Sequence, residues 1–293
     1  MLCSLLLAGC VTNGTKQVEQ TQISSPSVPA PEDVDVVLVG AGDIARCSFS
    51  AARSTAHLLD TIPGTVFTAG DNVYQRGTAD EFRECYEPTW GRHKHRTRPA
   101  PGNHDYSTKD AVPYYEYFGA NAGPSGLGYY SYDLGAWHVL SLNSNVPADA
   151  NSAQMEWLRA DLAKSAHKCT LAYWHHPVFA SSARAINPRM KEVFALLYKN
   201  GVDVVVAGHE HVYERFAPMD PSGVRDNASG IRQFIVGTGG AMLGIFGKTH
   251  PQSEVRFSAH GVMKFTLKSS GYEWEFIPVA NDAPVDSGSA VCH

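Results

Sequence analysis

The chain has 293 residues, 43% of them hydrophobic, and a formal net charge of −5. This is enough for one large domain with a sizeable core, although two smaller domains would also fit. The densest basic stretch, residues 92–98, is short and is expected to be a solvated loop, so nothing indicates a nucleic-acid groove. Beyond the N-terminal run, no stretch approaches the roughly 20 apolar residues of a membrane-spanning helix.

The first ten residues form a short apolar run that ends in Leu-Ala-Gly-Cys10, as an export signal does. This ending resembles a bacterial lipobox, which implies lipidation of Cys10. No basic segment precedes the run, so either the true start lies upstream of Met1 or the signal is incomplete. An apolar N-terminus that is not processed is the alternative interpretation.

Residues 11–33 are rich in Thr, Ser, Gln and Pro, which predicts a flexible tether ahead of a domain at residues 34–293. A signal, a tether and a domain together predict an exported protein, either a periplasmic or surface lipoprotein of the cell envelope or a secreted protein. Membrane contact is expected only through a lipid anchor at Cys10.

Once Cys3 and Cys10 are assigned to the signal, an even number of cysteines remains, which favours disulfides outside the cytosol. Four cysteines permit three pairings. We favour two bridges, the first because its cysteines lie on loops that are expected to be neighbours: Cys47–Cys85 and Cys169–Cys292.

The domain reads as strands that alternate with helices and then as hairpins, which predicts an α/β fold with mixed sheets. Strands are predicted at residues 34–40, 65–69, 169–174, 202–207, 232–236, 262–267 and 272–279, with a hairpin at 128–132 and 137–142. Helices are predicted at residues 54–59, 78–86, 152–165 and 188–200.

Most major strands end in glycine followed by a side chain that can bind a metal, and one runs directly into His175. The carboxyl ends of strands are where open α/β sheets form their sites. The five motifs are Gly42-Asp43, Gly70-Asp71-Asn-Val-Tyr74, Gly102-Asn103-His104-Asp105, His175-His176-Pro177 and Gly208-His209-Glu-His211.

Two carboxylates, a phenol, an amide oxygen and three imidazoles make a mixed ligand set that suits iron, manganese or zinc. Because seven ligands exceed what one tetrahedral ion accepts, the set predicts two ions that share a bridging carboxylate. Such a pair can clamp a phosphoryl group and lower the pKa of a bound water.

In type and order these motifs resemble those of the calcineurin-like metallophosphoesterase superfamily. Two details resemble its purple acid phosphatase branch: Ala45 replaces the histidine ligand of most members, and Tyr74 follows Asp71 where that branch places a tyrosinate. The sequence from His211 to Arg215 also looks like that branch. The resemblance implies a four-layer αββα sandwich of two mixed sheets flanked by helices.

The resemblance further implies how the ligands divide. Asp43, Asp71, Tyr74 and His211 would hold a first ion, iron(III). Asp71 would bridge to a second ion, which would be zinc, manganese or iron(II). The other ligands of the second ion would be Asn103, His175 and His209.

His104 would face the phosphate, stabilising charge or protonating the leaving oxygen, and Asp105 would orient it. The His-rich loop of plant members is absent, and residues 180–184 stand in its place, so the pocket is expected to differ. His176, Arg46 and Arg184 are candidate substrate contacts. Residues 237–240 lack the lysine and spacing of a phosphate-binding loop and predict a tight turn beside the site.

The function that follows is hydrolysis of small phosphate monoesters. A phosphodiesterase of the same superfamily is the first alternative. A surface lipoprotein that binds metal without catalysis is the second, and it would be expected to lack His104 or Asp71. The natural substrate and the oligomeric state do not follow from the sequence.

Overall fold

The computed structural model describes residues 34–181 and 188–293. The predicted signal, the tether, the lipidation site Cys10 and the substrate contact Arg184 lie outside the described residues, so these and the domain boundary stay predictions. Within the described ranges, no helix combines the length and apolar character needed to cross a membrane.

Strands make up much of the domain. In chain order they are β1 (Val36–Ala41), β2 (Ala45–Arg46), β3 (Thr65–Ala69), β4 (Val73–Tyr74), β5 (Thr97–Ala100), β6 (Tyr130–Leu134), β7 (Trp137–Ser141), β8 (Cys169–Trp174), β9 (Val204–Ala207), β10 (Tyr213–Met219), β11 (Ile231–Val236), β12 (Ser253–Phe257), β13 (Gly261–Lys268), β14 (Gly271–Pro278) and β15 (Asp286–Val291).

The α-helices are short to medium in length. They are α1 (Ala51–Thr61), α2 (Ala79–Glu81), which continues into a π-helical turn (Phe82–Tyr86), α3 (Val112–Phe118), α4 (Ala153–Leu162) and α5 (Lys191–Lys199). The 3-10 helices are Trp90–Arg96, Asp105–Ser107, Lys109–Ala111, Gly119–Ala122 and Pro188–Met190.

Most strands belong to two mixed sheets, as predicted. The first sheet has the order β15-β14-β13-β1-β3-β5, and the second has the order β12-β10-β11-β9-β8-β7-β6. Strands β1, β3 and β5 are mutually parallel, and so are β7, β8, β9 and β11. The short strands β2 and β4 pair separately and place Arg46 opposite Tyr74.

The two sheets pack face to face through buried aromatic side chains. Phe67 of the first sheet lies 5.6 Å from Tyr173 of the second, and Phe265 lies 5.3 Å from Phe234, measured between ring centroids. Alternate residues of β8 point to different cores: Tyr173 joins the core between the sheets, whereas Trp174 joins the core formed with the helices. This explains why the sequence of β8 is almost entirely apolar, because a strand that is buried on both faces has no side exposed to water.

Helices cover both outer faces. Helix α1 contacts β13 of the first sheet, and the apolar sides of α4 and α5, including Leu158 and Phe194, share a core with the second sheet. Ser152 caps α4, as predicted, by accepting a hydrogen bond from the Met155 N–H at 3.3 Å. The αββα architecture inferred from the sequence is therefore confirmed.

Several elements were not predicted. Strand β5 contains Pro99, which a sheet tolerates because β5 is an edge strand. Strands β10, β12 and β15 and helix α3 were also not predicted, and β15 follows the last of the predicted strands, now labelled β14. Strand β15 is rich in Ser and Gly, and its order comes from pairing with β14.

The basic stretch at residues 92–98 is not the solvated loop that was expected. It spans most of the 3-10 helix Trp90–Arg96 and the start of β5. The Arg96 guanidinium donates to the carbonyl oxygens of Leu59 at 2.7 Å and Ile62 at 3.0 Å, at the carboxyl end of α1. Arginine at this position stabilises the exposed carbonyls of the last helical turn.

The disulfides join the cysteines in the favoured pairing. Cys47 and Cys85 have Cα atoms 4.8 Å apart and tie the loop after β2 to the π-helical turn. Cys169 and Cys292 have Cα atoms 5.4 Å apart and link the start of β8, in the second sheet, to the residue after β15, in the first. The second bridge therefore holds the two sheets together.

A cluster of polar side chains anchors α4 to the hairpin of β6 and β7. His138 of β7 is buried, and its Nδ1 lies 2.9 Å from Asp133 while its Nε2 lies 2.7 Å from Asp161 at the end of α4. A neutral imidazole donates only one hydrogen bond, so both contacts are favourable only when His138 is protonated. Burial lowers the pKa of His138, but the hydrogen bonds and charges of Asp161 and Asp133 outweigh it and raise that pKa above its usual value.

This cluster predicts a pH-dependent stability. Because the folded-state pKa of His138 is raised, its contribution is complete below the unfolded-state value of about 6.5 and is lost as pH rises through the folded-state pKa. We expect His138→Gln to cost about 1.5–3 kcal/mol of unfolding free energy at pH 5.5, the scale of hydrogen bonds to charged groups, and less at pH 8. Unfolding by guanidinium chloride at pH 5.5 and pH 8 measures this loss of unfolding free energy. The exposed control His95→Gln should show no such difference, and an equal cost of His138→Gln at both pH values would contradict the assignment.

Candidate metal centre

The predicted ligands lie at one edge of the sandwich. Asp43, Asp71 and Asn103 follow the carboxyl ends of β1, β3 and β5 in the first sheet, and His175 and His209 follow those of β8 and β9 in the second. Because these strands are parallel within each sheet, their last residues come together where the two sheets meet. The loops after them therefore bring distant parts of the chain into one site.

One group of donor atoms forms around Asp43. The Tyr74 hydroxyl donates to Asp43 Oδ1 at 2.7 Å, and His211 Nε2 lies 3.1 Å from the same oxygen. The hydroxyl and His211 Nε2 are 3.2 Å apart. Three potential ligand atoms thus form a triangle with edges near 3 Å, which is a spacing that one cation can bind.

A second group forms around His175. Its Nε2 lies 3.0 Å from Asn103 Oδ1, 3.2 Å from His209 Nδ1 and 3.3 Å from Asp71 Oδ2. Atoms of Asp43, Asp71 and His175 also lie within 4.8 Å of one another, so Asp71 stands between the two groups. The structure brings together all seven residues that were predicted to bind metal.

The orientation of the imidazoles leaves nitrogen lone pairs for a cation. His175 Nδ1 donates to the Ala69 carbonyl oxygen at 2.8 Å, and His211 Nδ1 donates to the Met242 carbonyl oxygen at 2.6 Å. A proton held on Nδ1 leaves Nε2 unprotonated in the neutral ring. Carbonyl contacts of this kind orient histidine ligands in metal sites.

Four of these ligands have unusual backbone conformations. The φ angles are positive at Asp43 (60°), Asp71 (51°), His209 (72°) and His211 (48°). Non-glycine residues in the left-handed region cost free energy and persist where the surrounding structure enforces them, often at functional sites. The strain is consistent with loops selected for the direction in which they point these side chains.

Two glycines of the motifs are required by close packing. A Cβ on Gly102 would lie 2.1 Å from Asp71 Oδ1, and one on Gly70, whose φ is +83°, would lie 2.5 Å from His175 Nδ1. Any larger residue would displace the ligand beside it. This gives the glycines before Asp71 and Asn103 a physical role.

Two buried carboxylates dominate the electrostatics of the site. Burial alone raises the pKa values of the Asp43 and Asp71 carboxyls, but the charges and hydrogen bonds of His211 and His175 hold both below the usual value. Burial lowers the pKa of His175, whereas Asp71 and Asp43 outweigh it and raise that pKa to about 9. Burial and the two carboxylates raise the pKa of Tyr74 well above its usual value. Two buried carboxylates thus favour positive charge at the positions between them.

The donor set fits two metal ions. Buried carboxylates, an amide oxygen, a phenol and imidazole lone pairs converge, and the ring nitrogens of His175 and His209 face each other across 3.2 Å. Two facing nitrogen lone pairs are unfavourable unless a proton or a cation lies between them. Such sites of mixed oxygen and nitrogen ligands suit iron, zinc or manganese.

His104 lies beside these ligands, but Asp105 does not orient it. His104 Nδ1 donates to the Gln75 carbonyl oxygen at 2.6 Å, which leaves Nε2 directed to the site, 4.0 Å from Asp71 Oδ2. Asp105 is fully buried and accepts from the Gly102 N–H at 2.8 Å and from the Asn72 side-chain amide at 3.0 Å. The predicted orienting role was wrong: Asp105 joins the two ligand loops that carry Asp71 and Asn103.

The two predicted substrate contacts within the described residues, His176 and Arg46, differ from each other in their surroundings. His176 is buried, packs 4.5 Å from the His209 ring and lies 2.8 Å from the Ser144 hydroxyl through Nδ1. The Arg46 guanidinium lies over the Phe49 ring, 5.1 Å from its centre. Residues 237–240 form a turn beside the site, where the Gly239 N–H donates to the Gly42 carbonyl oxygen at 2.9 Å.

Sequence reasoning missed the residues that follow β7. Ser144 contacts His176, and the Asn145 side-chain amide donates to the Pro101 carbonyl oxygen at 3.1 Å, next to the loop of Asn103. The rule that sites form at the carboxyl ends of parallel strands applies to β7 as well. Applied there, it would have identified residues 143–145.

Comparisons with known proteins agree with this geometry. The family model described as calcineurin-like phosphoesterase matches residues 21–213. Purple acid phosphatase 15 of Arabidopsis thaliana is 30% identical over 238 residues, which cover 66% of this chain and 42% of the relative. Purple acid phosphatase 21 of the same plant is 31% identical over 185 residues, covering 56% of this chain and 42% of the relative. The chain thus spans less than half the length of these relatives.

A solved structure shows the same fold. A purple acid phosphatase isolated from yellow lupin (Lupinus luteus) seeds superimposes with a TM-score of 0.72 at 19% sequence identity. The match covers 89% of this chain and 54% of the lupin chain. The chain therefore belongs to the calcineurin-like phosphoesterase family, in its purple acid phosphatase-like branch.

Proposed function

We propose that the protein is an exported dinuclear-metal phosphatase that hydrolyses phosphate monoesters. The observation that carries the proposal is the convergence of seven donor side chains from five separate loops at one edge of the sandwich. The names of the Arabidopsis relatives support phosphatase chemistry. The two disulfides support export, because such bonds persist outside the reducing cytosol.

The ligands divide into two sets around Asp71. Asp43, Asp71, Tyr74 and His211 would hold iron(III), since a phenolate is a hard oxygen ligand. Asp71, Asn103, His175 and His209 would hold zinc, manganese or iron(II). When bound, two such ions supply Lewis acidity that lowers the pKa of water and neutralises phosphoryl charge.

His104 has the geometry of a proton donor to the leaving oxygen. Its side chain is 31% exposed, so a bound ester can reach Nε2, and the Gln75 carbonyl oxygen fixes the ring through Nδ1. A protonated ring held in this way would donate from Nε2 to the ester oxygen as the bond to phosphorus breaks. The presence of both His104 and Asp71 speaks against a protein that only binds metal.

The function is tested with aryl esters. We expect p-nitrophenyl phosphate to be hydrolysed faster than bis(p-nitrophenyl) phosphate, and chelation to remove the activity until iron and zinc are added back. Initial rates on the two substrates, with metal analysis before and after chelation, measure this. A faster diester would establish the phosphodiesterase alternative, and activity that survives complete metal removal would contradict the dinuclear centre.

The identity of the first ion is tested by colour. Iron(III) bound by the Tyr74 phenolate should give a visible charge-transfer band, and Tyr74→Phe should remove the band because no phenolate remains beside Asp43 and His211. The control is Tyr106→Phe, whose hydroxyl contacts Tyr115 and Asn143 instead of a predicted ligand. Absorption spectra with iron analysis give the result. A colourless, active protein without iron would refute the assignment.

The role of His104 is tested through the leaving group. We expect His104→Ala to lower kcat for alkyl phosphates by about 10²–10⁴-fold, the usual contribution of general acid catalysis. The loss should be smaller for p-nitrophenyl phosphate, whose leaving oxygen needs no proton. Metal content should stay unchanged, and the exposed control His95→Ala should keep full activity. Equal losses for both substrates would show that His104 does not act as the acid.

A further inference from the structure

The chain leaves the turn at residues 237–240 and forms a loop, residues 241–247, which we call the rim loop. The Ala241 N–H donates to the Asp43 carbonyl oxygen at 2.9 Å, and the Gly244 N–H donates to the His211 carbonyl oxygen at 2.9 Å. In return, His211 Nδ1 donates to the Met242 carbonyl oxygen at 2.6 Å. Three hydrogen bonds therefore hold this loop against two predicted ligands of the first ion.

The rim loop exposes apolar side chains in an unusual run. Its sequence begins Ala-Met-Leu-Gly-Ile-Phe, and Met242 is 60% and Ile245 81% exposed. Leu243 and Phe246 are partly buried. A single exposed apolar residue needs no explanation, but two large ones on a short loop beside a site are typical of a binding surface.

The loop is also held in place at its far end. The Gly247 N–H donates to the Ser181 carbonyl oxygen at 2.9 Å, and the Ser258 hydroxyl donates to the Gly244 carbonyl oxygen at 2.7 Å. The Arg256 guanidinium lies 5.0 Å from the centre of the Phe246 ring. A surface ordered in advance loses little entropy when it binds, so it suits a small rigid ligand.

A continuous row of rings leads from the proposed acid to the rim loop. The His104 and Tyr74 rings are 4.5 Å apart, and the Tyr74 and His211 rings are 5.9 Å apart, between centroids. His211 in turn contacts the backbone of Met242. The proposed acid and the rim loop therefore both border the pair of predicted ligands Tyr74 and His211.

We propose that Met242 and Ile245 bind the apolar aryl or alkyl group of the ester and so set a preference for phosphate monoesters with an apolar leaving group. The inference rests on the proposed phosphatase function, since it names the substrate class of the same site. A phosphate ester places its charged group among the predicted ligands while its carbon group extends over Tyr74 and His211. Contact with the rim loop removes apolar surface of both partners from water.

The first experiment measures binding without hydrolysis. Calorimetry on the metal-loaded protein compares 1-naphthylphosphonate with methylphosphonate, whose carbon–phosphorus bonds are not cleaved. We expect the naphthyl compound to bind more tightly and the double variant Met242→Ser/Ile245→Ser to lose about tenfold of that preference, the scale of a lost apolar pocket contact. The control Val224→Ser changes a residue of similar exposure, 58%, in the turn between β10 and β11, and should keep the preference.

The second experiment measures the ratio of kcat/KM for 1-naphthyl phosphate and glycerol 2-phosphate. A fall in this ratio that comes mainly from KM supports the proposal. An unchanged binding preference overturns it, and so does an equal loss for both phosphonates, which would mean that the loop only positions His211. If the wild type binds naphthylphosphonate preferentially but hydrolyses neither ester, the binding inference holds and the proposed function fails.

Membrane contact is the competing role for an exposed apolar loop. Co-sedimentation with neutral phosphatidylcholine vesicles tests it with the same variants. The substrate proposal would be overturned if the double variant lost vesicle binding but kept both the preference for 1-naphthylphosphonate and the ratio of kcat/KM for the two esters. The loop would then be assigned to a lipid surface.

Discussion

The structure depends on keeping two buried carboxylates close together. Asp43 and Asp71 are 0% and 1% exposed, and each is stabilised by a backbone donor from another ligand loop: the His209 N–H at 2.7 Å and the His104 N–H at 2.8 Å. Buried charges are tolerated only when they are paired and hydrogen-bonded. Positive charge beside these carboxylates is therefore favourable. The backbone N–H groups that stabilise them come from loops of both sheets, so the two sheets must be aligned for these hydrogen bonds to form. The sandwich positions a cluster of negative charge whose neutralisation suits bound cations.

Stability and function oppose each other at this edge. Residues Asp43, Asp71, His209 and His211 all have positive φ, and each such residue costs about 1–3 kcal/mol. The offsetting contacts lie away from the ligands, in the aromatic core between the sheets and in the cores beneath the helices. Asp105 contributes locally, because its carboxylate joins the loops of two ligands through Asn72 and Gly102. A change at Asp105 would thus act on metal geometry without touching substrate.

Sequence patterns, together with the family resemblance, were sufficient for the layers and for the side chains that converge at the site, but not for the connections between loops. Runs such as residues 65–69 and 169–174 are buried on both faces, so their composition alone identified them. Tyr74 could be placed beside Asp43 and His211 because its spacing from Asp71 resembles that of the purple acid phosphatase branch. By contrast, the partners of His104 and His211 are backbone carbonyl oxygens, of Gln75 and Met242, which any residue could supply. Strand β15 was missed for a similar reason, because its hydrogen bonds to β14 determine it more than its side chains do.

The Cys169–Cys292 bridge lies at the end of the sandwich opposite to the predicted ligands. Cys169 begins β8, and His175 follows the last residue of the same strand, so the covalent link and the ligands are separated by the full length of the strand. This bridge joins the two sheets at that end, whereas near the predicted ligands the Cys47–Cys85 bridge fastens the loop after β2 and the other ligand loops are held by hydrogen bonds and packing. Reduction of the Cys169–Cys292 bridge would therefore act first on the junction between the sheets, a full strand length away from His175.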